Sequence, residues 1–309
     1  MVITVTLNPA LDKTVEIDEF MIGNVNRIVS TRFDAGGKGI NVSKVVKELK
    51  HKSIALGFLG GSSGSLIKNY LDRLEIANDF LPFEGETRTN LKIIDKVNNT
   101  HTDINESGPT LDERYVNSIK EKIMEHCTLK SLVVLSGSVP GGIGSGIYGD
   151  IIKAVKIKGG KVILDADGEM LMQGIKAGPY MVKPNIFELQ KAFGITIHNE
   201  NEVIETAKKV LEYGVKYVVI SQGSEGSLFI SRDKVAKVKG IKVEVKSTVG
   251  AGDSMVAALA VAVESGYPFE EAIRLACATS TANVMTEGTQ TGKFEDIERL
   301  KKQIIIKYL

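Results

Sequence analysis

Ser131-Leu-Val-Val-Leu135 and Lys161-Val-Ile-Leu-Asp165, with a stretch of helical spacing from Tyr148 to Lys158 between them, decide the fold class. Apolar residues in Leu132-Val-Val-Leu135 and Val162-Ile-Leu164 are continuous rather than alternating, which is the pattern of a strand buried on both faces. Similar runs recur at Ser53 to Leu59, Tyr180 to Val182 and Tyr217 to Ser221, interleaved with helical patterns at Asn41 to Leu49, Leu111 to Cys127 and Glu202 to Tyr213. Strand, helix, strand predicts an α/β protein whose central sheet is mostly parallel and covered by helices. Two regions break the alternation. Thr14 to Phe33 and Thr87 to Ile104 carry short strands with polar partners and no intervening helix. They predict a small appended β-sheet, either a lid over the carboxyl ends of the parallel strands or an edge that seeks a second copy. No repeat, low-complexity segment or linker intervenes, so residues 1–309 are expected to form a single domain with lid segments at about 12–33 and 87–105.

The bulk properties narrow the function classes. A chain of 309 residues buries a substantial core without disulfides or metals. Lys plus Arg (39) nearly balances Asp plus Glu (38), so no global field draws it to nucleic acid or to an anionic membrane, and any phosphate recognition must be local. Cys127 and Cys277 lie far apart, without the spacing of a zinc site, and fit a reducing cytoplasm. The opening Val2-Ile-Thr-Val-Thr-Leu7 reads as a strand rather than a leader. The longest apolar run, Met255 to Val263, is far short of the ~20 residues a membrane span needs. Four histidines show no local pairing, which argues against a histidine metal site or triad.

Chemistry concentrates at glycine-rich junctions. Ser247-Thr-Val-Gly-Ala-Gly-Asp253-Ser leads straight into the apolar helix-forming run from Met255. Gly250 and Gly252 clear space for a ligand, and a helix beginning there aims unpaired N–H groups at an anion. A carboxylate at Asp253 would repel a phosphate unless it serves a neighbouring group, as a general base does; the plain alternative is complementing the helix dipole. Asp34-Ala-Gly-Gly-Lys-Gly-Ile-Asn41 is a second such turn, with Lys38 offering a charge to phosphate or sugar oxygens, and it matches neither the P-loop nor the dinucleotide fingerprint. In Lys183-Pro-Asn-Ile-Phe-Glu188, Asn185 and Glu188 have the spacing of a capping box and equally of a pair beside a hydrated Mg²⁺. Val218 to Ile230 reads as two strands around a glycine-rich turn at Ser221 to Gly226, either a nucleotide loop or an ordinary hairpin. Asp12 follows the first strand, where it could bind sugar hydroxyls or simply make a turn, and Arg27 and Arg88 fall in the lid.

Taken together, Gly36-Gly-Lys-Gly39, Lys183-Pro-Asn-Ile-Phe-Glu188 and Thr248-Val-Gly-Ala-Gly-Asp253-Ser resemble, in order and separation over the whole chain, the signatures of the phosphofructokinase B group of ribokinase-like sugar kinases. The resemblance implies a ribokinase-like three-layer sandwich with a β-sheet lid, and transfer of the γ-phosphoryl of ATP to a hydroxyl of a phosphosugar with Mg²⁺. It implies Asp253 as general base and Gly250, Ala251 and Gly252 as an anion hole. Lys183, Asn185, Ser221, Gly223, Ser224, Gly226 and Thr248 would meet the nucleotide, Cys277 would lie near the adenine, and Glu188 would serve the metal. Asp12, Arg27, Gly37, Lys38, Asn41, Arg88 and Ser138 would hold the phosphosugar, and a homodimer would form through the lid. Within the group, the opening Val5-Thr-Leu-Asn-Pro-Ala-Leu-Asp-Lys-Thr14 and Thr102-Asp-Ile-Asn-Glu-Ser-Gly-Pro109 resemble the branch that converts fructose 1-phosphate to fructose 1,6-bisphosphate, with tagatose 6-phosphate and fructose 6-phosphate as alternative substrates. Thr100 to Ile104 carries no arginine, so a second lid arginine for the distal phosphate has no counterpart. A non-catalytic sensor is the alternative of a different class, and retention of Asp253 with both glycines speaks against it.

Overall fold

The computed structural model describes residues 1–288 and 290–309. The main sheet runs, from one edge, Ile306–Tyr308, Val235–Val238, Ser227–Ile230, Tyr217–Ser221, Met181–Val182, Lys161–Asp165, Leu132–Ser136, Val2–Thr6, Ser53–Leu59 and Ala77–Asn78, with Leu81–Pro82 also pairing to Ser53–Leu59. From Tyr217–Ser221 to Ala77–Asn78 every pairing is parallel, and the three strands at the other edge are antiparallel. The continuous apolar runs do what two-sided burial requires. Val133 and Leu135 enter one core and Leu132 and Val134 the other; Val162 and Leu164 are likewise divided from Ile163. Each fully buried side chain of this kind contributes ~1.5–3 kcal/mol. Helices Glu113–His126, Ile147–Ile157 and Glu200–Glu212 pack on the first face, while Lys38–Glu48, Ala251–Glu264 and Phe269–Val284 pack on the second.

Two helix starts lie earlier than periodicity predicts. The helical spacing seen from Asn41 belongs to a helix that begins at Lys38, and the apolar run from Met255 to one that begins at Ala251, at the glycine-rich junction where a helix start is expected, because glycines carry no apolar signal. Every residue from Asp253 to Ala262 is buried, so the second helix shows no polar face.

The predicted small sheet is present, in the order Ser30–Gly36, Ala10–Ile17, Thr89–Asp95, Thr100–Asn105. Ala10–Ile17 pairs parallel with Thr89–Asp95 and antiparallel with Ser30–Gly36. Asp12, expected just beyond the first strand, is therefore inside a strand, opposite Asp34 and Asn90. No helix among the described residues is long and apolar enough to cross a membrane.

Candidate active site

A cleft of about 610 Å³ opens where the parallel strands end, walled on one side by the small sheet. Its lining comes from the carboxyl ends of five neighbouring strands: Thr6 and Asn8, Gly137 and Ser138, Asp165, Lys183 and Asn185, and Ser221. Open α/β sheets place ligands at this end because loops there converge without closing the sheet. Two helix starts aim into the same space, from Gly37-Lys38 and from Gly250 to Asp253. Gly37 has φ 116° and a Cβ on it would come within 2.7 Å of the Thr6 methyl; Gly250 has φ 79°. Neither turn accepts an ordinary side chain without strain.

Four charged groups from distant parts of the sequence meet inside. Asp165 is 1% exposed, with Lys183 Nζ 3.3 Å from one carboxylate oxygen and Lys38 Nζ 3.4 Å from the other. Burial alone would push the Asp165 carboxyl up, but the ammonium groups of Lys183 and Lys38 outweigh it and hold it below its ordinary value. The charge of Asp165 in turn raises the Lys38 ammonium, keeping it protonated. Asp253 is also buried and receives a 2.8 Å hydrogen bond from Asn41 Nδ2. Burial, followed by repulsion from Asp165, raises its pKa from 3.8 to about 6. A carboxylate there is ionised at neutral pH yet basic enough to take a proton. Lys38 also approaches Glu188 at 3.9 Å.

The capping box is real: Asn185 Oδ1 accepts from Glu188 N–H at 2.7 Å, and Glu188 Oε2 accepts from Asn185 N–H at 2.9 Å. Glu188 Oε1 faces the cleft side, toward Lys38. Capping and a ligand-facing role are compatible, since the two oxygens divide the work.

On the small-sheet wall, Arg88 donates from Nε and Nη2 to the Asn8 carbonyl at 3.3 and 3.1 Å, and from Nη1 to the Glu106 carbonyl at 3.0 Å. Asp12 does not itself line the cleft; it lies behind Asn90, accepting from Asn90 Nδ2 at 2.9 Å, and burial raises its carboxyl. Asn8 Nδ2 reaches Ser138 Oγ at 3.3 Å. Thr6 Oγ1 and the side-chain carbonyls of Asn8, Asn41 and Asn90 are buried at this cleft with no hydrogen bond to the protein. Orphaned groups gathered at one cavity match a polyhydroxylated ligand.

Of the residues singled out in the sequence, Gly37, Lys38, Asn41, Arg88, Ser138, Lys183, Asn185, Glu188, Ser221, Gly250, Gly252 and Asp253 line the cleft. Ala251 opens the Ala251–Glu264 helix between them, and its N–H makes a long 3.4 Å bond to the Thr248 carbonyl. Thr248 itself is exposed. Beyond Ser221 a 3₁₀ turn at Gly223–Glu225 leads to Gly226, and a narrow cavity of about 60 Å³ beside it is lined by Gly223, Gly226, Met255 and Cys277. Ser224 sits exposed on that turn. Burial pushes the Cys277 thiol up to about 12, so it is a packing group and not a nucleophile. Arg27 does not reach the cleft. It lies in the exposed segment joining Ile17 to Ser30, whereas the cleft end of the same strand pair is Ala10 opposite Gly36, six pairs and ~20 Å away.

The sequence reading overlooked Asp165, Thr6, Asn8 and Asn90. Asp165 did carry a signal: a carboxylate closing an otherwise apolar, two-face-buried strand must be paired, and burial without a partner would be prohibitive. Thr6 closes the first strand and Asn8 follows it, but a Thr and an Asn near a turn look ordinary.

A cleft with two helix starts, a raised carboxylate and three cationic side chains suits an enzyme that transfers a phosphoryl group to a hydroxyl. The chain belongs to the pfkB family of carbohydrate kinases, whose family model matches residues 5–296. It is an ATP-dependent sugar-phosphate kinase of ribokinase-like fold. It is 36% identical to 1-phosphofructokinase of Borreliella burgdorferi, with 98% of this chain and 97% of that protein covered. It is 33% identical to tagatose-6-phosphate kinase of Staphylococcus epidermidis, with 96% and 97% covered. Phosphofructokinase-2 from Escherichia coli, solved in complex with potassium, superposes with a TM-score of 0.94 at 27% identity, covering 98% of both chains.

Proposed function

We propose that the protein phosphorylates fructose 1-phosphate to fructose 1,6-bisphosphate, with Asp253 as the general base. The observation that carries this reading is the buried Asp253 carboxylate, raised to about 6, held by Asn41 and set in the first turn of a helix whose opening residues Gly250 and Gly252 line the cleft. As the alcohol attacks, Asp253 accepts its proton, and the Gly250, Ala251 and Gly252 N–H groups stabilise charge on the transferring phosphoryl group. Phosphoryl transfer asks the protein for positioning and electrostatic stabilisation, which fixed backbone dipoles supply without reorganisation. Lys38, Arg88, Asp12, Gly37, Asn41 and Ser138 bind the phosphosugar. Lys183, Asn185, Ser221, Gly223, Ser224, Gly226 and Thr248 bind ATP, whose adenine lies toward Cys277. The residues 1–309 work as a single domain with the small sheet as a lid that excludes water.

Mg²⁺ fits the donor set, since Glu188 presents a hard carboxylate oxygen left free by the cap, and Mg²⁺ takes few protein ligands. Bound there, the ion would neutralise nucleotide phosphate charge; Asp165 keeps Lys38 and Lys183 in place around it. Two free, buried cysteines accord with a cytoplasmic protein.

A homodimer through the lid is supported by exposed apolar residues on and beside the small sheet: Ile22, Val25, Ile28, Val29, Phe33 and Ile104. Ile22 is 91% and Val25 83% exposed, an apolar cluster that isolated soluble chains seldom leave uncovered. Arg27 lies within this patch, so it meets a phosphosugar only across such a contact.

Fructose 1-phosphate is favoured by the resemblance of the segments 5–14 and 102–109 and by the 36% identity to the Borreliella burgdorferi protein. The test is ADP-release turnover on a panel of phosphosugars. We expect kcat/KM for fructose 1-phosphate to exceed those for tagatose 6-phosphate and fructose 6-phosphate; equal or reversed values would return the substrate to the level of the family, a phosphosugar of this group.

A further inference from the structure

At the opposite end of the main sheet, a second cavity of about 140 Å³ lies under the amino ends of Lys161–Asp165, Met181–Val182 and Tyr217–Ser221. Its floor is apolar, built from Met181, Val219, Phe229, Leu259 and Ile273. Its mouth is aromatic and cationic. Tyr180 and Tyr217 meet edge to face with centroids 5.5 Å apart, and Tyr217 stacks on Phe269 at 5.6 Å and 21°. Lys161 Nζ stands 4.8 Å from the Tyr180 ring centre, and Lys216 Nζ stands 5.5 Å from both tyrosine rings. Neither ammonium has a carboxylate partner within 4 Å among the described residues. Burial, followed by the neighbouring Tyr217, raises the Tyr180 hydroxyl to about 12, so it remains a hydrogen-bond donor.

Size and chemistry select the ligand class. A cavity of ~150 Å³ is large enough for one benzene ring. The unpaired Lys161 ammonium and the phenolic groups at the mouth add a place for one negative charge. We infer that this cavity is a binding site for a small aromatic carboxylate, its ring on the Met181–Ile273 floor and its carboxylate between Lys161 and the Tyr180 hydroxyl.

The site goes beyond the phosphotransfer reading and does not depend on it. One helix nonetheless touches both places: Gly252 and Asp253 face the cleft, whereas Leu259, Ala262 and Val263 wall the cavity. Asp253 and Ala262 are ~14 Å apart along its axis.

Fluorine NMR with 4-fluorobenzoate tests the assignment on the full chain, with 4-fluorobenzyl alcohol and 4-fluorobenzylamine as neutral and cationic controls. The expected result is saturable binding of the carboxylate in the millimolar range or tighter, weaker for the alcohol and weakest for the amine. Filling the cavity by Ala272→Leu should abolish saturation; Val263→Phe serves if that variant does not fold. Lys161→Met should weaken binding roughly 2–5-fold. No saturation in the wild type, equal binding of the amine, retention in a folded cavity-filled variant, or displacement by ATP would each overturn the proposal.

Discussion

Replacing Asp253 by Asn should make the protein more stable while disabling it, and the size of the gain follows from the burial of the carboxylate. Raising this carboxyl from 3.8 to about 6 corresponds to ~3 kcal/mol spent on keeping the charge in place at neutral pH. The native state binds the proton more tightly than the unfolded chain does, so this group lowers stability as pH rises from about 4 to about 6 and costs a constant amount above that. An Asn side chain can still accept the bond from Asn41, but Lys38 and Lys183 lose a negative neighbour, which trims the net gain to ~1–3 kcal/mol. The advantage of Asp253→Asn should be largest at pH 7 to 8 and fall to about half at pH 5. Urea unfolding of the two proteins across that range, extrapolated to water, measures it. A variant less stable than wild type at pH 8, or a difference independent of pH, would refute the electrostatic account of the site.

Other changes separate the remaining parts. Asp165→Asn leaves the nearly buried Lys183 without its carboxylate and should cost ~3–5 kcal/mol in urea unfolding, whereas a surface pair would cost under ~1 kcal/mol. Arg88→Ala should weaken use of the phosphosugar by roughly 1.5–3 kcal/mol and leave the ATP KM nearly unchanged, as read by titrating each substrate at saturation of the other. If the ATP KM moves instead, Arg88 does not belong to the sugar subsite.

Much of this architecture is legible in the chain because two-face burial forces continuous apolarity: Leu132 to Leu135 and Val162 to Leu164 could hardly be anything but central strands. The site is legible where backbone chemistry demands glycine, at Gly37 and Gly250, and where a charge stands beside it. Contacts between distant segments are not. Asn41 stands in the sequence as an expected sugar ligand, yet it bonds Asp253 across 212 residues, a pairing set only by the helices Lys38–Glu48 and Ala251–Glu264 lying side by side. Asp165 escapes notice because its partners, Lys38 and Lys183, are far away in sequence and each is already accounted for by its own motif. Arg27 shows the opposite error: it does belong to the small-sheet region, but the direction in which the strand pair carries it away from the cleft depends on register.

The central claim, that Asp253 takes the proton from the phosphosugar hydroxyl, is tested most directly by phosphoryl transfer from ATP to fructose 1-phosphate in wild type and Asp253→Asn under saturating conditions, with ATP binding measured separately. The account predicts unchanged ATP binding and a kcat reduced ~10²-fold to 10⁴-fold. Near-normal transfer by the folded variant would contradict it and remove Asp253 from the mechanism.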